Sequence, residues 1–357
     1  MIRRQGGCRL KKMYSERLRS HQPLQKLAVL VIFGLAVHLL LPQITSLEKS
    51  WQVLTKMSLW AVGLAVIAQV ISYLGSGYIL QQTLAIANQP VTLLRSVLIV
   101  LGAASISMVA GGTIGSSAAI YRWTSTEEGD MEGATLASLL PTLFNNVMLV
   151  LVSVFGLVHL ILAHKLSLAQ LIGFGATLVI LGLIIGLCLL AVRYQVQAVD
   201  IVTRIFRQIA RFRHKSFDPG RTQKEMADIF SAWNVLWRGK WQFLALGAFL
   251  NTAFDMLTLY FLFIAAGHVI SFGVLLSGYG LPLLLGKLAF ILPGGVGVVE
   301  SSMAALYNGF GASSATTVVV VLDYRLISFW IPSIAGFPIA AYLQRSRKRP
   351  HPKEDFA

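Results

Sequence analysis

The sequence predicts an all-α, polytopic membrane protein with about six full transmembrane helices and two glycine-rich hairpins. Of its 357 residues, 55% are hydrophobic and only 13% are charged, whereas soluble domains are about a quarter charged. Several apolar segments reach the roughly 20 helical residues that cross a hydrocarbon core of about 30 Å. Two glycine-rich stretches interrupt this apolar pattern. Most of the protein surface should therefore face lipid.

The expected full spans follow one another along the chain. The first is short and has a long basic leader, and Pro42–Ser46 offers no small-x-small cleavage pattern, which favours a retained signal anchor over a cleaved signal peptide. The six spans are Leu27–Leu41, Met57–Leu80, Gly133–Ala163, Ser167–Val192, Trp241–Ala266 and Ala315–Leu343.

The positive charges predict which segments are cytoplasmic. The formal net charge of +15 concentrates in three regions, namely the tail 1–26, the loop 193–240 and the tail 345–357. Since Lys and Arg favour the cytoplasmic side, both termini and this loop should lie inside. The loop then separates a first membrane half, 27–192, from a second, 241–344.

Two further apolar stretches must each begin and end on one side of the membrane. Because the six spans already satisfy this topology, Val91–Arg122 and Ser271–Gly311 are either re-entrant or cross twice as short helices. The first would open from the cytoplasm and the second from outside. Each contains a glycine pair, a serine pair and a tyrosine in that order, as AGGTIGSSAAIY (110–121) and PGGVGVVESSMAALY (293–307). This order predicts a possible inverted repeat, although glycine and serine are common in membrane helices.

The second stretch has the features of an anion site at membrane depth. Pro293 ends the preceding helix, and Gly294, Gly295 and Gly297 let the chain reverse without Cβ clashes. A helix starting near Val298 would direct free N–H groups and its positive dipole end toward the turn, where a lipid phosphate would fit. The alternative is a tight helix–helix contact in which the glycines serve packing.

The motif LPGGVGVVESSMAALY resembles that of the lysylphosphatidylglycerol synthase transmembrane region family, which includes the flippase half of the multiple peptide resistance factor. Five residues match: Pro293, Gly294, Gly295, Gly297 and Glu300. In the first stretch many members carry a glycine–glutamate pair and a nearby arginine. Here Gly115 is followed by Ser116, and Arg122 comes later. This stretch departs from the family pattern, and its further candidates for substrate binding are Gly111, Gly112, Gly115 and Arg122.

The resemblance also implies a bacterial inner-membrane protein that handles lipids. No soluble aminoacyl-transferase domain follows Leu343 in this sequence, so lipid aminoacylation by this chain alone is not expected. We therefore expect a protein that is not an enzyme and has no cofactor.

Charged residues inside apolar segments are expensive and are therefore candidates for function. They are Asp255, Lys287, Asp323, Arg325 and Arg95. Lys287 is expected to pair with Glu300 if the segment doubles back, and Asp323 with Arg325 forms a second opposite-sign pair. Asp255 has no local partner, so it must find Arg325, Lys287 or Arg95, or line a wet cavity. Internal salt bridges and a substrate or proton-coupling role both explain such charges.

The sequence gives less support for a metal site or for nucleic-acid binding. Cys8 and Cys188 are the only cysteines, and neither they nor the histidines have metal-ligand spacing. A basic amphipathic helix within 193–240 favours an anionic membrane surface over nucleic acid.

Three functions remain open. The first is binding or translocation (flipping) of a phospholipid or lipid-linked substrate, with anionic lipids as partners, through a cavity between the hairpins. The second is a non-catalytic accessory subunit of a lipid- or envelope-synthesis system, with a protein partner. The third and weakest is a membrane-embedded lipid-modifying enzyme. The oligomeric state is open.

Overall fold

The fold is seen in a computed structural model, which describes residues 47–109, 112–125, 131–162, 193–212, 241–288 and 293–347, with a few single positions at 172–190 and at 220. Within these residues the chain is helical and contains no strand. The helices are α1 Leu47–Lys56, α2 Leu59–Ile86, α3 Leu93–Val109, α4 Thr113–Thr124, α5 Met131–Leu162, α6 Gln195–Phe212, α7 Trp241–Ala265, α8 Phe272–Leu288, α9 Val298–Gly309, α10 Ser314–Arg325 and α11 Ile331–Arg347. A 3₁₀ turn, Pro293–Gly295, precedes α9, and a π-helical turn, Leu326–Trp330, joins α10 to α11.

Four of the expected spans are present as long apolar helices. They are Leu59–Ile86, Gly133–Leu162, Trp241–Ala265 and Ser314–Ser346, and the last runs continuously from α10 through the π-helical turn into α11. The expected span Leu27–Leu41 lies outside the described residues, as does most of Ser167–Val192. The all-α, polytopic class is confirmed.

Each glycine-rich stretch forms a hairpin of two short helices. The first hairpin is α3 and α4, and the second is α8 and α9. The leading helices, α3 and α8, have 17 residues each and the returning helices, α4 and α9, have 12 each. At about 1.5 Å per residue these lengths are about 26 Å and 18 Å, and a bilayer core is about 30 Å thick. The lengths therefore favour re-entrant hairpins over double crossings.

The two halves have the same order of elements: a long helix, a hairpin and a second long helix. Their first long helices, α2 and α7, pack against each other and run antiparallel. The Ser58 N–H at the start of α2 donates to the Ala265 carbonyl at the end of α7, at 2.9 Å. Nearer the middle, Asn251 Nδ2 donates to the Ser72 carbonyl, at 3.1 Å. Two similar units in opposite directions constitute an inverted repeat.

The packing of the leading hairpin helices follows the same symmetry, because each packs on the last long helix of the other half. Thus α8 packs on α5, and α3 packs on α11. A Cβ added at Gly280 of α8 would meet Ser153 of α5, and one at Gly336 of α11 would meet Leu101 of α3. These four residues occupy corresponding positions in the two halves. The internal repeat is thus visible in the packing.

The predicted amphipathic helix of the basic loop is present as α6, where Arg204 approaches Asp200 at 3.7 Å, both largely exposed.

Candidate functional site

The residues 293–297, named here the glycine break, reverse the chain between α8 and α9. Gly294, Gly295 and Gly297 have φ values of 62°, 65° and 88°. This left-handed region costs a residue with a Cβ about 1–2 kcal/mol, which explains the glycines. Helix α9 then begins at Val298, as the sequence predicted.

The N-terminus of α9 is capped by a side chain of the same helix. Glu300 Oε2 accepts a hydrogen bond from the Gly297 N–H at 2.6 Å. Glu300 is only 9% exposed, and its carboxylate satisfies one of the backbone donors that helix starts leave free. It also complements the positive end of the helix dipole. Glu300 therefore occupies the position at which the sequence predicted a bound lipid phosphate.

Arg325, at the end of α10, joins this carboxylate to the glycine break. Its Nε donates to Glu300 Oε1 at 2.6 Å, and its Nη2 donates to the Gly294 carbonyl at 2.8 Å. Its guanidinium also lies 4.5 Å from the centroid of the Phe329 ring, a cation–π geometry. The arginine is 5% exposed. The expected pairs of Glu300 with Lys287 and of Asp323 with Arg325 are therefore wrong, because Arg325 and Glu300 pair with each other.

The π-helical turn explains how Phe329 reaches this site. It follows Arg325 directly, and such turns shift the register of a helix and are frequent at functional sites. The Phe329 ring occupies the space where a Cβ of residue 294 would be. Within the same turn the Ser328 carbonyl accepts a hydrogen bond from the Tyr73 hydroxyl of α2, at 3.0 Å. The irregular backbone is thereby hydrogen-bonded by a neighbouring span.

The two hairpins meet at the glycine break, because α3 packs against the 3₁₀ turn Pro293–Gly295. In the first hairpin, Gly111 lies outside the described residues, and Gly112, at φ 63°, precedes α4. Gly115 is buried in the first turn of α4, at the position that corresponds to Glu300 in α9. The first hairpin therefore lacks the capping carboxylate of the second.

The two arginines of the first hairpin lie away from the glycine break. Arg95 is in the first turn of α3 and Arg122 in the last turn of α4, and both side chains are exposed. These positions are at the open end of the hairpin, so the structure does not bring either residue to Glu300.

Asp255, in α7, forms a second polar site. Its Oδ2 atom accepts hydrogen bonds from the Tyr279 and Tyr324 hydroxyls, each at 2.8 Å. Gln69 of α2 is a further neighbour. The expected partner was an arginine or lysine, but within the described residues Asp255 forms no ion pair. Tyr324 immediately precedes Arg325, so α10 carries adjacent residues into both sites.

Sequence reasoning missed the tyrosines around Asp255. The available signal was the placement of Tyr279 and Tyr324 within apolar segments, because a buried tyrosine hydroxyl usually has a hydrogen-bond partner. The other two predicted charges lie outside these sites. Lys287 is exposed and Asp323 is partly buried, and neither forms an ion pair with a described residue.

The described residues show a closed arrangement at the glycine break. Glu300 and Arg325 meet there as an ion pair and do not line an open hollow between the hairpins. A cleft of about 540 Å³ lies elsewhere, where α1 meets the end of α7 and the start of α10. Its polar lining comes from Gln52, Lys56, Ser58 and Ser313. In the described part of the chain, no three acidic, histidine or cysteine side chains are grouped to hold a metal.

Comparison with known proteins gives similar membrane proteins of archaea. The UPF0104 membrane protein of Pyrococcus horikoshii is 29% identical over 156 residues, which are 40% of this chain and 44% of that protein. Its counterpart in Methanocaldococcus jannaschii is 23% identical over 150 residues, 41% of this chain and 44% of the relative. The chain thus spans less than half the length of these relatives.

The family comparison covers much more of the chain. Residues 26–336 match the family described as Lysylphosphatidylglycerol synthase TM region, which includes both hairpins and the glycine break. That description names a transmembrane region. The chain is therefore a multi-pass membrane protein that belongs to the lysylphosphatidylglycerol synthase TM region family.

Proposed function

We propose that this protein binds an anionic phospholipid or lipid-linked phosphate and translocates it between the leaflets of a bacterial inner membrane. In this proposal both termini are cytoplasmic, as the charge distribution predicts. The lipid phosphate competes with Glu300 for Arg325, and the hairpins provide the polar surface along which the headgroup moves.

The observation that chiefly supports the proposal is the hydrogen bonding of the buried Arg325 guanidinium. Its guanidinium uses two of its five N–H donors in hydrogen bonds with described residues, on Glu300 and on the Gly294 carbonyl. A planar guanidinium recognises phosphate through paired hydrogen bonds. An arginine at membrane depth, beside an interrupted helix and an exchangeable carboxylate, is suited to bind and release a phosphate in turn.

A leaflet-exchange assay in proteoliposomes tests the proposal. Fluorescent phosphatidylglycerol and phosphatidylcholine with the same labelled chain are compared, and dithionite reports the lipid in the outer leaflet. We expect wild-type protein to exchange the anionic lipid faster. Arg325→Lys should slow that exchange at least tenfold, because one charge-assisted hydrogen bond contributes about 1.5–3 kcal/mol. Glu300→Gln should also slow it.

Gly309→Ala is the matched control for protein folding and reconstitution. Gly309 ends α9, and a Cβ there meets nothing within 4 Å, so exchange should be retained. Equal rates for wild type and Arg325→Lys would refute the proposal. A chemically altered lipid would favour an enzyme, and exchange that requires an added envelope protein would favour an accessory subunit.

A further inference from the structure

Glu300 and Asp255, the two buried carboxylates of the second half, have partners of different charge. Glu300 is paired with the cation of Arg325 at 2.6 Å. Asp255 instead receives two neutral hydroxyl groups, from Tyr279 and Tyr324, and both donate to the same oxygen, Oδ2. These two tyrosines are 4% and 1% exposed. Neither tyrosine donates to Oδ1, and Gln69 of α2 is a third hydrogen-bonding neighbour of the carboxylate.

The surroundings of Asp255 are polar but contain little charge. The nearest cation, Arg325, directs its Nε and Nη2 atoms to Glu300 and Gly294. From α5, the His159 ring lies against Gly273 of α8. The ionisable or polar side chains that surround the carboxylate are Gln69 and Tyr73 from α2, Tyr279 from α8, and Tyr324 and Arg325 from α10. Tyr307 of α9 is a neighbour of Tyr279 in the same group. Two buried atoms of this group, Gln69 Oε1 and Tyr307 Oη, have no partner among the described residues.

An ionised carboxylate at membrane depth is expensive when no cation contacts it. Protonation at Oδ1 removes that cost and keeps both tyrosine hydrogen bonds at Oδ2. Because Tyr324 and Arg325 are adjacent on α10, a movement that withdraws Arg325 from Glu300 also displaces the Tyr324 hydroxyl from Asp255. Replacement of Glu300 by a lipid phosphate at Arg325 is thereby linked, through α10, to proton binding at Asp255.

We infer that Asp255 is the coupling site of the transporter, which takes up one proton from one side of the membrane and releases it to the other in each cycle. The inference rests on the proposed function. The step is a simple binding equilibrium, in which the carboxylate and a proton from water form the carboxylic acid, with no other reactant.

Infrared difference spectra of the purified full-length protein test proton binding without a transport assay. On acidification, wild-type protein should gain the carbonyl band of a carboxylic acid that Asp255→Asn lacks. Asp200→Asn, which removes an exposed carboxylate on α6, should keep this band. Tyr279→Phe and Tyr324→Phe should shift its frequency, because each removes one hydrogen bond to Oδ2. These two variants keep the test decisive if Asp255→Asn does not fold.

Proteoliposomes test the coupling itself. A difference of one pH unit is a tenfold ratio of proton activity, so it should shift the leaflet distribution of labelled phosphatidylglycerol by up to about tenfold in wild type. The shift should be absent in Asp255→Asn. Identical infrared bands in wild type and Asp255→Asn would overturn the inference whether or not lipid moves.

The remaining outcomes separate the two claims. Lipid exchange that is independent of the pH difference, or that follows a sodium gradient, would overturn the inference but would still support the proposed function. The absence of lipid exchange under every condition would overturn the proposed function. The infrared bands would then show only whether Asp255 binds a proton.

Discussion

Arg325 and Glu300 lie 25 positions apart in the sequence and form a buried ion pair at the glycine break. Each charge is tolerated because the other is present, since a buried charge without its partner costs several kcal/mol. Backbone groups complete the arrangement, because Gly294 accepts from the arginine and Gly297 donates to the glutamate.

A double-mutant cycle measures this dependence. Glu300→Gln and Arg325→Met should each lower the free energy of unfolding by about 3–5 kcal/mol. The double variant should lose less than the sum of the two, because it leaves no unpaired charge. Unfolding in mixed micelles, followed by tryptophan fluorescence, gives the three values. Strictly additive losses would show that the two side chains do not stabilise each other.

The glycine break itself is tested at Gly295. A Cβ there would be held at a φ of 65° and would lie 2.7 Å from the Gly286 Cα atom of α8. Gly295→Ala should therefore lower the free energy of unfolding by more than the roughly 1–2 kcal/mol of backbone strain alone. Gly309→Ala, which has open space around it, is the control. Equal stability of the two variants would contradict the conformation described for the break.

Among the helices, the α2–α7 contact holds the two halves together. Ser72 and Asn251 lie equally far from the C-terminal ends of their helices. They bond reciprocally: the Ser72 hydroxyl donates to the Asn251 carbonyl at 2.9 Å, and the asparagine amide donates in return. The pair therefore marks the approximate two-fold axis. One turn away, Gly75 permits close approach, since a Cβ there would lie 2.7 Å from the Asn251 backbone nitrogen. Small residues serve this purpose at many helix contacts in membranes.

Two glycines of α2 give a matched test of this contact. Gly75→Val should separate α2 from α7 and lower the thermal stability of the purified protein. Gly63→Val places the same side chain on the same helix where nothing lies within 4 Å, and it should leave stability nearly unchanged. Static light scattering during a temperature ramp measures both. A Gly75 variant as stable as the Gly63 variant would show that the contact contributes little.

The sequence was sufficient for features that depend on neighbouring residues. The apolar lengths predicted α2, α5 and α7 to within a few residues at their ends, apart from six further residues at the end of α2. The glycine motif predicted the turn and the start of α9, because left-handed backbone requires glycine locally.

Features that depend on distant segments were not predictable in the same way. Glu300 had several candidate cations, and only the packing of α10 on α9 selects Arg325 over Lys287. The partners of Asp255 come from α8 and α10, at separations of 24 and 69 positions. The contact of Phe329 with Arg325 depends on the π-helical turn, for which the sequence carried no recognised signal.

At the scale of the whole molecule, the proposal requires hairpins that enter the membrane from opposite faces. The antiparallel α2 and α7 and the exchanged packing of α3 and α8 both support this arrangement. Opposed hairpins that meet at the glycine break give a lipid headgroup access from either side in turn, which is the geometry of alternating access. Two hairpins open to the same side would provide no such path.

Cysteine labelling at the hairpin ends tests this claim most directly. Pro90, before α3, and Asn308, near the end of α9, are both exposed. Each is replaced by cysteine in a background where Cys8 and Cys188 are serine, and intact cells are treated with a membrane-impermeant maleimide. We expect Asn308→Cys to be labelled in intact cells and Pro90→Cys only after permeabilisation. Labelling of both positions from the same side would contradict the inverted arrangement and the transport path built on it.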